Sequence, residues 1–455
     1  MKNYDLIVIG AGSGGVRAAR LAAKQGQKTL VIEKRHWGGT CVNLGCVPKK
    51  LLVYASDYAR TLRHSHDYSF PSISYESSLP NWHNLTTRIN AETSRLQEVY
   101  QKLLQDNNVD MLSGTAMLTS PDTVTLEGSN EEFSASKILI ATGSRPRIPD
   151  IPGHEFGITS DNMFSLSQLP KSIAIVGAGY IGLEFACIMA AFGVKVYLLN
   201  RSETFLRNFD AEIAAFAVEQ VEQDPNITVY RNTTIKHLKQ AAADEVIEAS
   251  IIQDGQEQQL SVEQVLFATG RVPNTDTLGL QDFNITSKDG FIEVDEFYQS
   301  ILPNIYALGD VVGHLALTPV AIAEAKIFIA KHIIKNHQVS PLDYESIPMA
   351  VFSRPEIAMV GMSEQQAAAQ SNVKIYKSKF NPLSEALRKH KQPFFMKLVC
   401  DSSNNRILGV HLCGTGAAEM IHGFVPLYKN RLSKDALDEA VGVHPTIMEE
   451  IFTLN

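Results

Sequence analysis

Cys41 and Cys46 stand with four residues between them in GGTCVNLGCVPKK, residues 38–50. Zinc would need two further ligands, and His36 is the only other candidate close in sequence. An inert staple is out of place in a reducing compartment. What remains is a redox-active dithiol, one thiolate attacking and one thiol resolving. Glycines and Thr40 crowd the first cysteine, and KKLLVYAS, which reads as a helix, follows the second. A helix N-terminus favours a thiolate. Cys187, Cys400 and Cys413 lie in apolar runs and read as buried hydrophobes. A thiol pair also needs a proton handler. Among 13 histidines, His444 in VGVHPTIMEEIF stands out. It precedes a proline, which restricts its backbone and allows a cis bond, and Glu449 and Glu450 follow about one helical turn on. A carboxylate on the imidazole would fix its tautomer. The bland alternative is a helix-capping histidine at a domain edge.

Two segments share the elements that would position such a centre: Tyr4 to Gly26 and Ser172 to Gly193. Each runs apolar strand, glycine turn, helix, and a short strand follows, KTLVIEK in one case and KVYLLNR in the other. In Gly10-x-Gly12-x-x-Gly15 the first glycine makes the tight turn and the second admits a pyrophosphate to the helix N-terminus. Glu33 ends the next strand, at the offset that grips ribose hydroxyls. In Gly177-x-Gly179-x-x-Gly182 the following strand ends in Leu199-Asn200-Arg201, with Arg207 beyond. Arginine in place of the acid suits a 2′-phosphate, so NADPH is expected there and FAD at the first site. The competing reading is two solvated surface arginines.

KILIATGSRP (Lys137 to Pro146) and QVLFATGRVPN (Gln264 to Asn274) echo each other and read as the places where the chain leaves one nucleotide domain for the next. IYALGDV is a third strand-to-turn element, and His83 to Gln105 has helical spacing. After Asp343, runs such as MAVF, FFMKLVC and RILGVHL suggest an α+β domain. The expected fold class is therefore α/β: two Rossmann-like dinucleotide-binding domains plus a C-terminal α+β dimerisation domain.

The 455 residues suit about three domains by length alone. Hydrophobic content of 44% and charged content of 20% fit a folded globular chain. A net charge of −8 offers no basic field for nucleic acid. No apolar run reaches membrane-spanning length. MKNYD passes straight into LIVIG, so no leader and a cytoplasmic location are expected.

The motifs GGTCVNLGCVPKK, GAGYIGLE, ATGRVPNT, IYALGD, LTPVAIAEA and HPTxxEE resemble the pyridine nucleotide–disulfide oxidoreductase family, and within it the glutathione reductases. They run in family order over essentially the whole chain, and GAGSGGVRAAR with CVPKKLLVYAS is most similar to the plant and bacterial type. The resemblance implies an FAD domain at 1–140, an NADPH domain at 141–270, a central domain at 271–343 and an interface domain at 344–455. It also implies a homodimer with a shared active site and no metal.

For FAD the resemblance implies Gly10, Gly12, Ser13, Gly14, Gly15, Glu33, Gly39, Thr40, Lys49, Ala141, Thr142, Gly143, Asp310 and Thr318. For NADPH it implies Gly177, Gly179, Tyr180, Ile181, Glu184, Arg201, Arg207 and Gly270. In the implied mechanism Cys46 is the thiolate against the flavin and Cys41 the interchange thiol that attacks glutathione disulfide. The partner's histidine at position 444, oriented by Glu449, protonates the departing thiolate. Lys49 and Glu184 form an ion pair near the flavin, and Tyr180 gates the nicotinamide pocket.

Arg20, Arg17, Tyr100 and Lys326 are the implied substrate contacts. Two departures bear on the substrate: lysine at 326 where animal enzymes have arginine, and Glu92 in place of a cleft tyrosine. They keep open a related disulfide, such as amidated glutathione or bis-γ-glutamylcystine. The basic Arg17 and Arg20 argue against a cationic substrate such as that of trypanothione reductase. Lipoamide dehydrogenase would want an acid near Asn200, and the ending IFTLN lacks the C-terminal cysteine pair of mercuric or large thioredoxin reductases. A non-enzymatic redox sensor would not need Cys41, Cys46, Lys49, Glu184 and His444 together.

Overall fold

The computed structural model of the chain describes residues 2–129, 131–241 and 246–454. From the N-terminus the elements are β1 (Lys2–Ile9), α1 (Ser13–Lys24), β2 (Thr29–Glu33), α2 (Gly39–Asn43), α3 (Cys46–His64) and α4 (Trp82–Gln105). Then come β3 (Asp110–Ser113), β4 (Ala116–Ser120), β5 (Thr123–Leu126), β6 (Glu132–Ile140), β7 (Ser144–Pro146) and β8 (Ile158–Thr159). The middle of the chain holds β9 (Ser172–Val176), α5 (Tyr180–Ala191), β10 (Lys195–Leu199), α6 (Ala211–Val221) and β11 (Ile227–Tyr230). It continues with β12 (Thr233–Gln240), β13 (Ile247–Gln253), β14 (Gln256–Val262), β15 (Gln264–Phe267), β16 (Arg271–Pro273), β17 (Ile305–Ala307) and α7 (Thr318–Phe328). The last part contains β18 (Met349–Val351), β19 (Ile357–Gly361), α8 (Glu364–Ala368), β20 (Val373–Phe380), β21 (Phe394–Asp401) and β22 (Ile407–Cys413).

The chain divides into two compact units, each built from three separate segments. One comprises Met1–Lys49, Leu85–Arg147 and Gly270–Leu342; the other comprises Lys50–Asn84, Ile148–Thr269 and Asp343–Asn455. In the first, β3-β2-β1-β6 form a parallel sheet that β17 joins through the end of β6, while β5 and β4 extend it as an antiparallel meander. The run Leu6-Ile7-Val8-Ile9 is apolar at every position because both faces are covered. Leu6 and Val8 pack with α1, α7 and Trp37 on one face, and Ile7 and Ile9 pack with Val124, Phe133 and Leu278 on the other.

The second unit contains the parallel sheet β11-β10-β9-β15-β8, the antiparallel β12-β13-β14, and the antiparallel five-stranded β18-β19-β22-β21-β20. In β21 and β22 alternate residues split between two faces. Met396, Leu398, Val410 and Leu412 join the helical C-terminal segment in one core. Lys397 and His411 are a cross-strand pair, both fully buried. The architecture is the expected mixed α/β one. Among the described residues no helix is long and apolar enough to cross a membrane.

Candidate active site

Within the first unit, the cysteine loop lies on the glycine turn. Gly38 N donates to Ala11 O at 2.9 Å, and a Cβ on Gly39 would come within 2.7 Å of the Gly12 Cα. Gly38 and Gly39 take φ of +91° and +66°, a left-handed path open to glycine. Asn43 Nδ2 closes the short helix by donating to Gly39 O at 2.8 Å. Cys41 therefore sits on α2 and Cys46 is the first residue of α3.

The two thiols are hydrogen-bonded to each other, and their pKa values are shifted in opposite directions. The Cys46 thiol is lowered to about 6, chiefly by the hydrogen bond from Cys41 and, against the cost of burial, by Thr318 and the positive Lys49. Cys41 is pushed far up, by donating that hydrogen bond, by burial and by the charge of Cys46. The Thr318 hydroxyl, at the start of α7, stands 3.7 Å from Cys46 Sγ. Tyr100 packs beside Gly38, and burial, then the charge of Cys41, raises its phenol; Ser13 and Arg20 act on the same phenol. Arg17 and Arg20 are half-buried on α1, each with a buried Nε that has no hydrogen-bond partner among the described residues. Lys326 is exposed on α7, and Glu92 is a half-buried residue paired with Arg95 at 2.7 Å.

The residues around this loop fit a dinucleotide. Gly12 caps α1 without a side chain, and nothing lies within 4 Å of where its Cβ would be, so the helix N-terminus is open to a phosphate. A Cβ on Gly10 would strike the Ala141 carbonyl, and one on Gly15 the Gly10 carbonyl. The Glu33 carboxylate accepts from Ala11 N at 2.7 Å and Arg35 N at 2.8 Å, which pins it beside the turn. Thr142 Oγ1 donates to the Asn274 carbonyl at 2.8 Å and Asn274 Nδ2 to the Thr142 carbonyl at 2.9 Å, next to Gly143 at φ +68°. Asp310 accepts from the Ser144 hydroxyl at 2.7 Å and faces Arg271 at 3.9 Å.

The second unit repeats the arrangement. Gly179 caps α5 with open space around it, Gly177 abuts the Ala268 carbonyl, and Gly182 abuts Gly177. Gly270, at φ +114°, belongs to the first unit. On α5, Tyr180 is 43% exposed, Ile181 is half-buried, and the buried Glu184 accepts from Phe352 N at 2.8 Å. Asn200 Nδ2 donates to Ser202 O and Thr204 O at 2.7 and 3.0 Å, shaping the loop that carries Arg201 and Arg207, both exposed. Arg207 donates to the Ser202 hydroxyl at 3.1 Å. His444 is 82% exposed, and its Nδ1–H donates to both oxygens of Glu449 at 3.0 and 3.1 Å, which leaves Nε2 for chemistry. The His444–Pro445 bond is cis. Cys187, Cys400 and Cys413 are buried, as expected of core residues.

Sequence reasoning missed Ser144, Arg271 and Glu324. Glu324 is fully buried and accepts from Gly309 N at 2.6 Å, ahead of Asp310. Its signal was present: it is the only charged residue in LTPVAIAEA. Ser144 and Arg271 each follow an ATG tripeptide, in ATGSRP and ATGRVP.

A paired-thiol centre beside one dinucleotide cradle, with a second cradle in the same chain, defines a two-nucleotide disulfide oxidoreductase. The model of the pyridine nucleotide-disulphide oxidoreductase family matches residues 4–325, and that of its dimerisation domain matches 347–454. The chain belongs to this family. Among similar proteins are three glutathione reductases. That of Burkholderia cepacia is 41% identical, covering 99% of this chain and 98% of its own length. That of Yarrowia lipolytica is 38% identical over 99% of both chains. The chloroplastic/mitochondrial enzyme of Pisum sativum is 39% identical over 99% of this chain and 82% of its own.

Proposed function

We propose that the protein is a cytoplasmic, homodimeric flavoenzyme that reduces glutathione disulfide to two glutathione with NADPH. The single observation that carries the chemistry is the polarised thiol pair: a Cys46 lowered to about 6 beside a protonated Cys41. FAD and NADPH, when bound, supply the hydride that returns the Cys41–Cys46 disulfide to the dithiol. Glycine turns at 10–15 and 177–182 hold the two pyrophosphates; Gly14, Thr40, Asp310 and Thr318 complete the FAD contacts. Arg201 and Arg207 hold the 2′-phosphate, and Ile181 and Gly270 are further NADPH contacts. Lys49 and Glu184 act as a charge pair, and Tyr180 covers the nicotinamide pocket. Arg17, Arg20, Tyr100 and Lys326 bind the anionic disulfide.

Because the negative charge rests on Cys46, Cys41 attacks only as its proton leaves for a base. Its sulfur bonds to one sulfur of glutathione disulfide, and the other departs as a thiolate. His444 of the partner subunit, oriented by Glu449, protonates that thiolate. The Cys46 thiolate then attacks Cys41 Sγ, re-forms the internal disulfide and releases the second glutathione. We assign the chain four domains, 1–140, 141–270, 271–343 and 344–455. Pairing of Glu92 with its helix neighbour Arg95 supports glutathione disulfide over a modified disulfide, since it neutralises that acid within its own helix.

The test is NADPH oxidation by purified holoenzyme with glutathione disulfide, repeated with NADH. Rapid turnover with NADPH alone is expected. Flavin reduction without turnover would move the substrate to another disulfide, and an NADH preference would refute the role of the arginines.

A further inference from the structure

The loop that carries Arg201 and Arg207 ends at Asp210, a fully buried carboxylate. Asp210 does three things at once. Its Oδ1 caps α6 by accepting from Glu212 N and Ile213 N at 3.2 and 3.4 Å. Its Oδ2 accepts from Glu364 N at 3.0 Å, at the start of α8. Its Oδ1 also accepts from Lys397 Nζ at 2.9 Å. Lys397 has no exposed surface, and its ammonium meets Glu364 and Glu212 at 2.6 and 3.2 Å as well. A buried lysine in a core strand is costly unless it is fully paired, so a cluster of this kind calls for a reason.

The neighbourhood supplies one. Phe216 of α6 stacks edge-on against Phe395 of β21 at 5.3 Å, so α6 lies on the sheet face that presents Lys397 and His411. Between Asp210 and Arg207 there are only Asn208 and Phe209. Just before Arg207, Leu206 is buried with φ +46°, a left-handed conformation that is strained for leucine and persists only where its surroundings hold it. Arg207, Asn208 and Phe209 also share a surface cleft with Ser363, Gln365 and Gln366. The arginine loop is therefore held at its start by Asn200 and at its end by the C-terminal sheet.

We propose that Lys397 and Asp210 are positioning residues that set the preference for NADPH over NADH, by fixing the loop so that Arg207 meets the 2′-phosphate. The pair touches no cofactor and acts through the arginine. This rests on reading Arg201 and Arg207 as the 2′-phosphate contacts.

The probes are adenosine 2′,5′-bisphosphate and 5′-AMP, titrated calorimetrically into holoenzyme, beside the NADPH-to-NADH ratio of kcat/KM. In Lys397→Met, 2′,5′-bisphosphate binding is expected to weaken about tenfold while 5′-AMP binding holds, since small misplacements of a binding group cost that much or more. A merely structural role would weaken both probes together, and that result, or no change in either, would overturn the proposal. Should Lys397→Met fail to fold, Lys397→Met with Asp210→Asn removes both buried charges and is read in the same way. Hydrogen exchange of the unmodified enzyme needs no variant: the Phe209 amide, which donates to Leu206 O at 2.8 Å, should exchange only with β21, and its independent, faster exchange would overturn the proposal. Arg207→Ala separates the premise from the inference. If it leaves 2′,5′-bisphosphate binding intact, the arginine reading itself fails; if only the Lys397 variants are silent, the pair alone is discarded.

Discussion

At the scale of single residues, the thiol pair makes the firmest prediction. Cys46 is held at about 6 against an ordinary 9.0, so in the dithiol form it is a thiolate at neutral pH. A depressed folded value stabilises the reduced protein fully above the ordinary thiol range, and that stabilisation is lost as pH falls through about 6. Ultraviolet thiolate absorbance of the reduced enzyme should titrate near 6 and vanish in Cys46→Ser. Cys41→Ala removes the hydrogen-bond donor that lowers Cys46 most and should move the transition up; an unmoved transition would sink the hydrogen-bond account. Cys41→Ser should keep NADPH-driven flavin reduction yet lose disulfide turnover. His444→Ala should lower disulfide turnover by about 10²–10⁴-fold with the flavin half-reaction intact, as loss of a general acid does. Stopped-flow kinetics separate the two halves.

Among the elements, the strand–glycine–helix units carry their own proof. A Cβ at Gly182 would collide with the Gly177 carbonyl. Gly182→Ala should therefore raise the dissociation constant for NADPH and cost roughly 1–3 kcal/mol of stability by overpacking, read by denaturant titration. These units were legible in sequence because turn, dinucleotide cradle and flanking strands lie within one short window. The same holds for Cys41, Cys46 and the His444–Glu449 pair. What stayed hidden joins distant residues: Lys397 reads as a stray charge in FFMKLVC, and its partner Asp210 lies 187 positions away. Burial would raise the Asp210 carboxyl, but Lys397 and the Glu364 amide outweigh it and hold it below its usual value. Glu92, which stands where the resemblance puts a cleft tyrosine, is half-buried and bonded to its own helix neighbour Arg95.

For the whole molecule, the exposed arm around His444 matters most. Val441 and Val443 are 94% and 74% exposed in the single chain, close in sequence to the exposed His444. A homodimer would cover such a surface and, in the mechanism we propose, complete each site with the partner's arm. Refolding Cys41→Ser with His444→Ala chains should thus regain about a quarter of wild-type turnover, since half the dimers are mixed and each mixed dimer has one intact site. No recovery would place thiols and base in the same chain. The segmented build has a further outcome, for synthesis. Ile138, Leu139 and Ile140 of β6 wait for Ile305, Tyr306 and Ala307 of β17 to pair with them. At ribosomal speed that delay is on the order of 10–30 s, with an apolar strand edge open throughout. The newborn chain is thus a customer for edge-shielding chaperones long before it is an enzyme, and slowing translation past residue 140 should raise its loss to aggregation.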